Sequence, residues 1–378
     1  MRVGIVTQSY YPRFGGVTEH AHHSAEELAH LGHDVTIVTS HFRGEGAQRP
    51  GVERVGRNLL VPFNRAFVDL TVGWNLESRL RTLFRRHAFD VIHVHGPPSP
   101  GLPLLAVMAA ECPQVGTFHM TGRSRMLELV RGPLSRRIER LTARIAVSNT
   151  ARDCAEHYFP GEYRVVPNGV DTDRFNPEQP PFRYWRSPDR VNILFVGRLD
   201  PRKGVKLLIE AVPELVRRTR GRARVMVIGD SYLRGRLEAS VPAAMRGHIV
   251  FLGAVPPADL PRWYATADIF VSPATGNESF GIVLLEAMAS GCPVVCSDIP
   301  GYRCAVGYEG AALLHAPGDS RGLTDAVCRL VEDARFRARL GAAGRLRALE
   351  FAWPVVAAQI ESVYYAAANG GVASFSTA

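Results

Sequence analysis

The stretch GNESFGIVLLEAMASG, residues 276–291, sets two carboxylates on either side of a Phe-Gly-Ile-Val turn that opens an apolar run. A glycine followed by Ile-Val-Leu-Leu reads as a loop that turns into a helix, with Glu278 in the loop and Glu286 about one turn inside. Eight helical residues rise roughly 12 Å, so both carboxylates can face one extended ligand. The amides of Gly281, Ile282 and Val283 then lie between them at a helix N-terminus, where unpaired N–H groups and the dipole favour bound phosphate. A sugar, a phosphate and a ribose in a row would fit that order. Taken alone, the same two residues are also what a loop and a solvated helix face carry.

Outward from this stretch the chain alternates strand and helix. In the second half, Val191–Val196 reads as a strand, GRLDPRKG at 197–204 as a turn, and Val205–Arg217 as a helix, with further strands at 224–228, 249–252, 269–272 and 293–297. The first half repeats the rhythm: a strand from Val3 to Thr7, a Gly15-Gly16 loop, a helix through His20 to His30, and a strand from Asp34 to Thr39. Strands at 90–95, 114–118 and 144–148 follow. Strands separated by helices demand parallel sheets, which predicts an α/β protein of two Rossmann-like, doubly wound domains with the site in the cleft between them. The boundaries are read as 1–170 and 190–352, joined by a Pro- and Asp-rich linker at 171–189, with a last helix from Trp353.

At 378 residues and 46% hydrophobic content the chain can bury two cores. No apolar run is long enough to span a bilayer, and Met1–Val6 leads directly into a strand rather than a secretory leader, so a cytoplasmic protein is expected. The six cysteines show no CxxC pairing and are expected as free thiols, with no metal site. Net charge is +9, and of 45 Lys and Arg only Lys203 and Lys206 are lysine. A compact ammonium kept where arginine is otherwise the habit suits a phosphate. Asn75–His87 places Leu76, Leu80, Leu83 and Phe84 at helical spacing, flanked by Arg79, Arg81, Arg85 and Arg86. Such a basic amphipathic helix suits either an anionic membrane surface or an ordinary surface helix with its stripe on a sheet.

The paired glutamates, together with GGV at 15–17, TFH at 117–119, VPNGVD at 166–171 and GRLDPRKG at 197–204, resemble retaining glycosyltransferases of family 4, which have the two-domain GT-B fold. The resemblance extends over nearly the whole chain and, within the family, is most like the bacterial phosphatidylinositol alpha-mannosyltransferases. It implies that Arg198 and Lys203 bind the diphosphate and that Glu278 meets the sugar hydroxyls. Phe280, Gly281, Ile282, Val283 and Glu286 would hold the nucleotide, with Glu286 on the ribose. It places Gly16 near the donor phosphate and His119 against the transferred sugar, and leaves His93 and His95 as structural or acceptor-side groups. Gly15, Thr18, Phe63, Asn64, Arg65 and Arg123 would face the acceptor, and the C-terminal helix would pack back on the first domain. The donor implied is a nucleotide sugar, GDP-mannose ahead of UDP-sugars, which would go with another glycolipid or a polysaccharide precursor as acceptor, with no metal required and no other cofactor. The acceptor implied is a lipid or inositol compound at the inner membrane face. Three departures bear on the subgroup. Asp69 stands where a basic residue is expected, Thr18 replaces a longer amide side chain, and Pro256-Pro257 offers no side-chain hydrogen bond to a base.

Two other classes were weighed. A nucleic-acid-binding protein would suit the charge, yet the arginines do not alternate with aromatics in a binding motif. A dinucleotide oxidoreductase would suit the fold, yet neither half has GxGxxG followed by an acidic residue about 20 positions on. The expectation is an enzyme with no nucleic-acid partner.

Overall fold

Runs such as Val3–Val6 and Val91–Val94 are buried on both faces of their strands, which is what continuous apolar segments in a parallel sheet achieve. The computed structural model describes residues 1–42, 49–63, 66–307 and 310–370. The chain divides into two compact units, one from Met1 to Gly169 joined by the C-terminal segment from Trp353, the other from Val170 to Ala352.

Unit 1 runs β1 (Arg2–Val6), α1 (Gly16–His30), β2 (Asp34–His41), β3 (Val52–Phe63), β4 (Ala66–Val72), α2 (Leu76–His87), β5 (Val91–His95), α3 (Leu102–Ala109), β6 (Gln114–Phe118), α4 (Arg125–Ile138), β7 (Ala143–Ala146), α5 (Asn149–Tyr158) and β8 (Arg164–Val165). Its sheet has the order β4-β3-β2-β1-β5-β6-β7-β8. All pairs are parallel except the edge pair β3–β4, where Arg57 lies opposite Val72 and Phe63 opposite Ala66. The sequence reading missed this hairpin, because Gly56 and Pro62 break the apolar alternation that marks a strand.

Unit 2 runs β9 (Val191–Val196), α6 (Val205–Arg218), β10 (Ala223–Ile228), α7 (Arg234–Ala239), β11 (Ile249–Gly253), α8 (Leu260–Thr266), β12 (Ile269–Ser272), α9 (Ile282–Ala289), β13 (Val294–Ser297), α10 (Pro300–Val306), β14 (Ala312–His315), α11 (Ser320–Glu332) and α12 (Ala334–Leu349). Its all-parallel sheet has the order β11-β10-β9-β12-β13-β14. The last helix, α13 (Trp353–Ala368), lies on unit 1, where Trp353, Val356, Ile360, Val363 and Tyr364 join the cluster of Ala21, Ala25 and Leu28 from α1.

Residues 171–189 are not a free tether. Phe175 packs edge-on to Tyr264 at 5.7 Å, Phe182 and Trp185 lie 4.6 and 5.9 Å from Trp263, and Asn192 donates to the Trp185 carbonyl at 2.9 Å. The aromatics bury too much surface to be left in solvent, so the prolines shape turns within unit 2.

In each sheet the strand order reverses at one point, between β1 and β5 in unit 1 and between β9 and β12 in unit 2. Loops leaving the C-terminal ends of strands at such a point diverge and open a crevice. The loops after β9 and β12 are the ones that carry Arg198, Lys203 and Glu278.

Candidate active site

In unit 2 the loop after β9 makes a single 3-10 turn at Pro201–Lys203, capped by the Asp200 carboxylate, which accepts from the Arg202 amide. It ends on Gly204 at φ 74°, where any side chain would overlap the carbonyl oxygen of Pro273. Glycine here lets the first loop touch the second. The Thr275 amide donates to the Arg202 carbonyl at 2.8 Å and completes the seam. On the other side, a side chain at Gly301 in α10 would overlap the Glu278 carbonyl oxygen. The segment 273–281 is therefore clamped between backbone neighbours.

The clamp brings Lys203 and Glu278 together. The Lys203 Nζ donates to Glu278 Oε2 and stands near Oε1, both at 2.9 Å, with side chains only 19% and 12% exposed. Arg198 is more open and pairs with Asp200 at 3.3 Å, while Arg202 approaches the same carboxylate at 3.4 Å. Gly281 opens α9 at φ 98°, with Tyr302 so close that a Cβ would meet its ring at 2.8 Å. Gly281, the N-cap residue of α9, has no side chain with which to cap it. Glu286, half-buried one turn inside, accepts a hydrogen bond from the Tyr264 hydroxyl at 2.8 Å. Burial, with the Glu286 charge beside it, pushes the Tyr264 phenol well above its usual range, so it remains a donor. Ile282 and Val283 are half-buried at the start of the helix. Phe280, expected at the nucleotide, is instead 2% exposed and packs edge-on to Phe351 at 5.6 Å. Its side chain is core, because the turn directs it under α9 rather than outward.

A separate cavity of about 340 Å³ at the N-terminal ends of β12 and β13, lined by Arg186, Asp268, Cys292 and Arg337, shares only Tyr264 with these residues.

Unit 1 assembles four imidazoles. His119, just past β6, shares a 3.0 Å hydrogen bond from its Nε2 to His95 Nδ1 at the end of β5. His20 of α1 stands edge-on to both, 5.3 Å from His119 and 5.2 Å from His95, and its Nδ1 bonds the Asn168 side-chain oxygen at 2.8 Å. His93 is engaged on both nitrogens, by Tyr364 of α13 at 2.7 Å and Thr117 at 2.6 Å, which makes it structural. Burial holds all four neutral, helped at His93, His95 and His119 by the neighbouring rings and opposed at His20 by the Asn168 bond: His20 is pushed down to about 4, His93 to about 3, and His95 and His119 well below the ordinary histidine value. The sequence reading took His119 but missed His20. Its signal was its place four residues after Gly16, on the same face of α1.

The other acceptor-side expectations meet mixed outcomes. Gly15 and Gly16 are exposed at the start of α1, but Gly15 has an extended φ of 173° and a Cβ there would meet nothing within 4 Å among the described residues. Thr18 points inward, 1% exposed, with no partner for its hydroxyl among the described residues. Phe63 ends β3, and Asn64 and Arg65 lie outside the described residues. Arg123 is exposed before α4. Asp69, the unexpected acid, accepts from Ser9 and Asn58 and pairs with Arg13 at 3.3 Å. It fastens the loop after β1, a role a basic residue could not fill.

The membrane expectation for α2 meets a different surface. Leu76, Leu80, Leu83 and Phe84 are buried in the unit 1 core. Arg81 pairs with Glu77 at 2.9 Å, Arg85 with Glu111 at 2.7 Å and Arg86 with Glu53 at 2.6 Å, leaving Arg79 exposed. The apolar stripe serves the sheet and the charge is largely neutralised. All six cysteines are free, three buried and three half-buried. Among the described residues no helix is long and apolar enough to cross a membrane.

Two doubly wound units, one with cations, carboxylates and a helix start on the loops at its switch point, match the architecture of a glycosyltransferase of the GT-B class. Residues 14–174 match the family model described as Glycosyltransferase Family 4, and residues 190–333 that described as Glycosyl transferases group 1. The chain belongs to this family 4 group of glycosyltransferases. It is 34% identical to the phosphatidyl-myo-inositol mannosyltransferase of Mycolicibacterium smegmatis over 98% of this chain and 95% of that one. It is 28% identical to the GDP-mannose-dependent alpha-(1-6)-phosphatidylinositol monomannoside mannosyltransferase of Mycobacterium tuberculosis, over 95% and 97% of the two chains. Among solved structures, sucrose-phosphate synthase of Thermosynechococcus elongatus superposes with a TM-score of 0.73 over 96% of this chain and 98% of that one, at 20% identity.

Proposed function

We propose that the enzyme transfers mannose from GDP-mannose, with retention at the anomeric carbon and without a metal ion, to an inositol phospholipid at the inner face of a membrane. The near full-length similarity to proteins named for that transfer supports donor and acceptor. The observation that bears most on the chemistry is the Lys203–Glu278 pair. It puts a cation for the departing diphosphate beside a carboxylate for the sugar hydroxyls. Arg198 and the start of α9 add positive potential where charge develops as the glycosidic bond breaks, so electrostatic stabilisation supplies much of the rate. Glu286, held by Tyr264, takes the ribose. A double displacement needs a carboxylate on the far face of the anomeric carbon. Glu278, already engaged by Lys203, is assigned to the hydroxyls, so substitution proceeds on the front face with the departing diphosphate accepting the acceptor's proton. His119, neutral, orients the sugar by hydrogen bonding.

The test is calorimetric titration with GDP, UDP, GDP-mannose and UDP-glucose in chelator, on wild type and on Lys203→Ala. Preference for GDP ligands, weakened in the variant, is the expected result. Preference for UDP would overturn the donor, and binding that appears only when a divalent ion is restored would overturn the metal-free reading.

A further inference from the structure

Helix α4 carries two apolar stripes, and unit 1 uses one of them. Leu134 and Ile138 are buried in the core, with Leu127 packed beside them. On an adjacent face, Met126 is 58%, Leu129 84% and Val130 42% exposed. Positions 126, 129, 130 and 133 fall at i, i+3, i+4 and i+7, and Pro133 at the last of these is exposed too. A continuous apolar face thus looks away from the protein, which is uncommon for a helix on an α/β surface and marks an interaction site.

The charge around that face says what covers it. Arg125 and Arg136 flank the stripe, Arg137 extends it by one turn, and Arg123 precedes the helix. None of the four makes an ion pair among the described residues, whereas Arg131, on the far side, pairs with Glu128 at 3.6 Å. A protein partner would need its own acids placed to match; a bilayer of anionic lipid supplies apolar depth under the stripe and negative headgroups at its edge together. α2, with the same composition, presents neither feature, since its stripe is buried and three of its arginines are paired.

We infer that α4 is the surface by which this enzyme docks on an anionic bilayer, with Met126, Leu129 and Val130 entering the acyl boundary and Arg123, Arg125 and Arg136 on the headgroups. The inference rests on the lipid acceptor proposed above and names the face that reaches it.

Sedimentation of the full chain with vesicles of phosphatidylglycerol and phosphatidylcholine, against phosphatidylcholine alone, tests it. The Met126→Ser/Leu129→Ser/Val130→Ser variant should lose binding to the anionic vesicles by more than tenfold. The Arg81→Ser/Arg85→Ser/Arg86→Ser variant in α2 should lose less than threefold. An Arg123→Ser/Arg125→Ser/Arg136→Ser variant should flatten the salt dependence of binding, and it leaves the apolar face intact should the first variant misfold. Unchanged binding in the α4 variants, or a larger loss in the α2 variant, would overturn the inference. So would a wild type that ignores vesicles but dimerises through Leu129 by analytical ultracentrifugation. Nucleotide titration on the same samples separates the two readings: intact GDP binding with unchanged vesicle binding in the α4 variants sinks the docking face and leaves the donor site standing.

Discussion

The two units prepare for ligand in opposite ways. Unit 1 gathers uncharged groups, four imidazoles kept neutral by burial around His119. Unit 2 gathers opposed charges, with Lys203 against Glu278 and Arg198 against Asp200. Neutral donors and acceptors can orient hydroxyls without attracting a phosphate, while balanced ion pairs hold charge ready for one. On the function proposed above, the charge chemistry of the reaction falls to the second unit and the orienting of hydroxyls to the first.

The largest effect is expected at Lys203. Lys203→Ala removes the cation proposed for the diphosphate and also leaves the Glu278 carboxylate, 12% exposed, without its partner. Turnover should fall on the order of a hundredfold, which corresponds to about 3 kcal/mol of transition-state stabilisation. Because one pair is involved, Lys203→Ala/Glu278→Gln should cost less than the product of the single losses. Independent, multiplicative losses in steady-state kinetics would show that the two side chains act apart.

The histidine side breaks by acid. A folded-state value of about 4 for His20 and about 3 for His93, against roughly 6.5 when unfolded, means that the unfolded chain binds the extra protons as pH falls. Their contribution to stability is full above about pH 6.5 and is lost progressively toward pH 4 and below, with a slope of about 1.4 kcal/mol per pH unit for each proton taken up on unfolding. The melting temperature measured from pH 7.5 to 4.5 should therefore fall, and less steeply in His93→Gln. An identical slope in that variant would mean the cluster is already protonated or open to water.

This contrast was only half legible in the sequence. The second unit's loops could be placed because Arg198, Lys203, Glu278 and Glu286 sit at turn and helix-start signals, while the roles given to them came from the family resemblance. The strands at 191–196 and 269–272 were likewise bounded by their own apolar runs. The imidazole cluster could not be read, because His20, His95 and His119 come from α1, β5 and β6, and only the sheet order brings them together. The fate of α2 was equally hidden: its stripe and its arginines fit sheet or membrane alike, and the acids that pair Arg85 and Arg86, Glu111 and Glu53, lie far away in sequence. The burial of the Phe280 side chain was hidden for a third reason, since a turn's direction decides whether an aromatic beside a glycine faces outward or into the core.

The glycines repeat the comparison at smaller scale. Gly204 in unit 2 is demanded by the protein, since its φ is left-handed and a Cβ would overlap Pro273. Gly204→Ala should lower stability by several kcal/mol in denaturant unfolding, of the order seen for strained or overpacked sites. Gly15 in unit 1 is demanded by nothing among the described residues, having an extended φ and open space around it. Gly15→Ala should melt within about 0.5 kcal/mol of wild type. If ligand approaches that backbone closely, as the family resemblance implies, turnover should nonetheless drop severalfold. A fully active Gly15→Ala enzyme would take this glycine out of the site.

The smallest expected effect is at Tyr264. Its hydroxyl donates to Glu286, and the ring itself is core, touching Phe175 and Phe270. Tyr264→Phe keeps that packing and removes one hydrogen bond to a charged acceptor, a loss of about 1–2 kcal/mol at most, because the half-buried carboxylate can take a water in its place. KM for the nucleotide sugar should then rise a few-fold to about tenfold with kcat nearly unchanged, the pattern of an interaction made equally in ground and transition states. A fall in kcat with KM constant would place Glu286 at the reacting centre rather than on the ribose, and would move negative charge in unit 2 closer to the bond being broken.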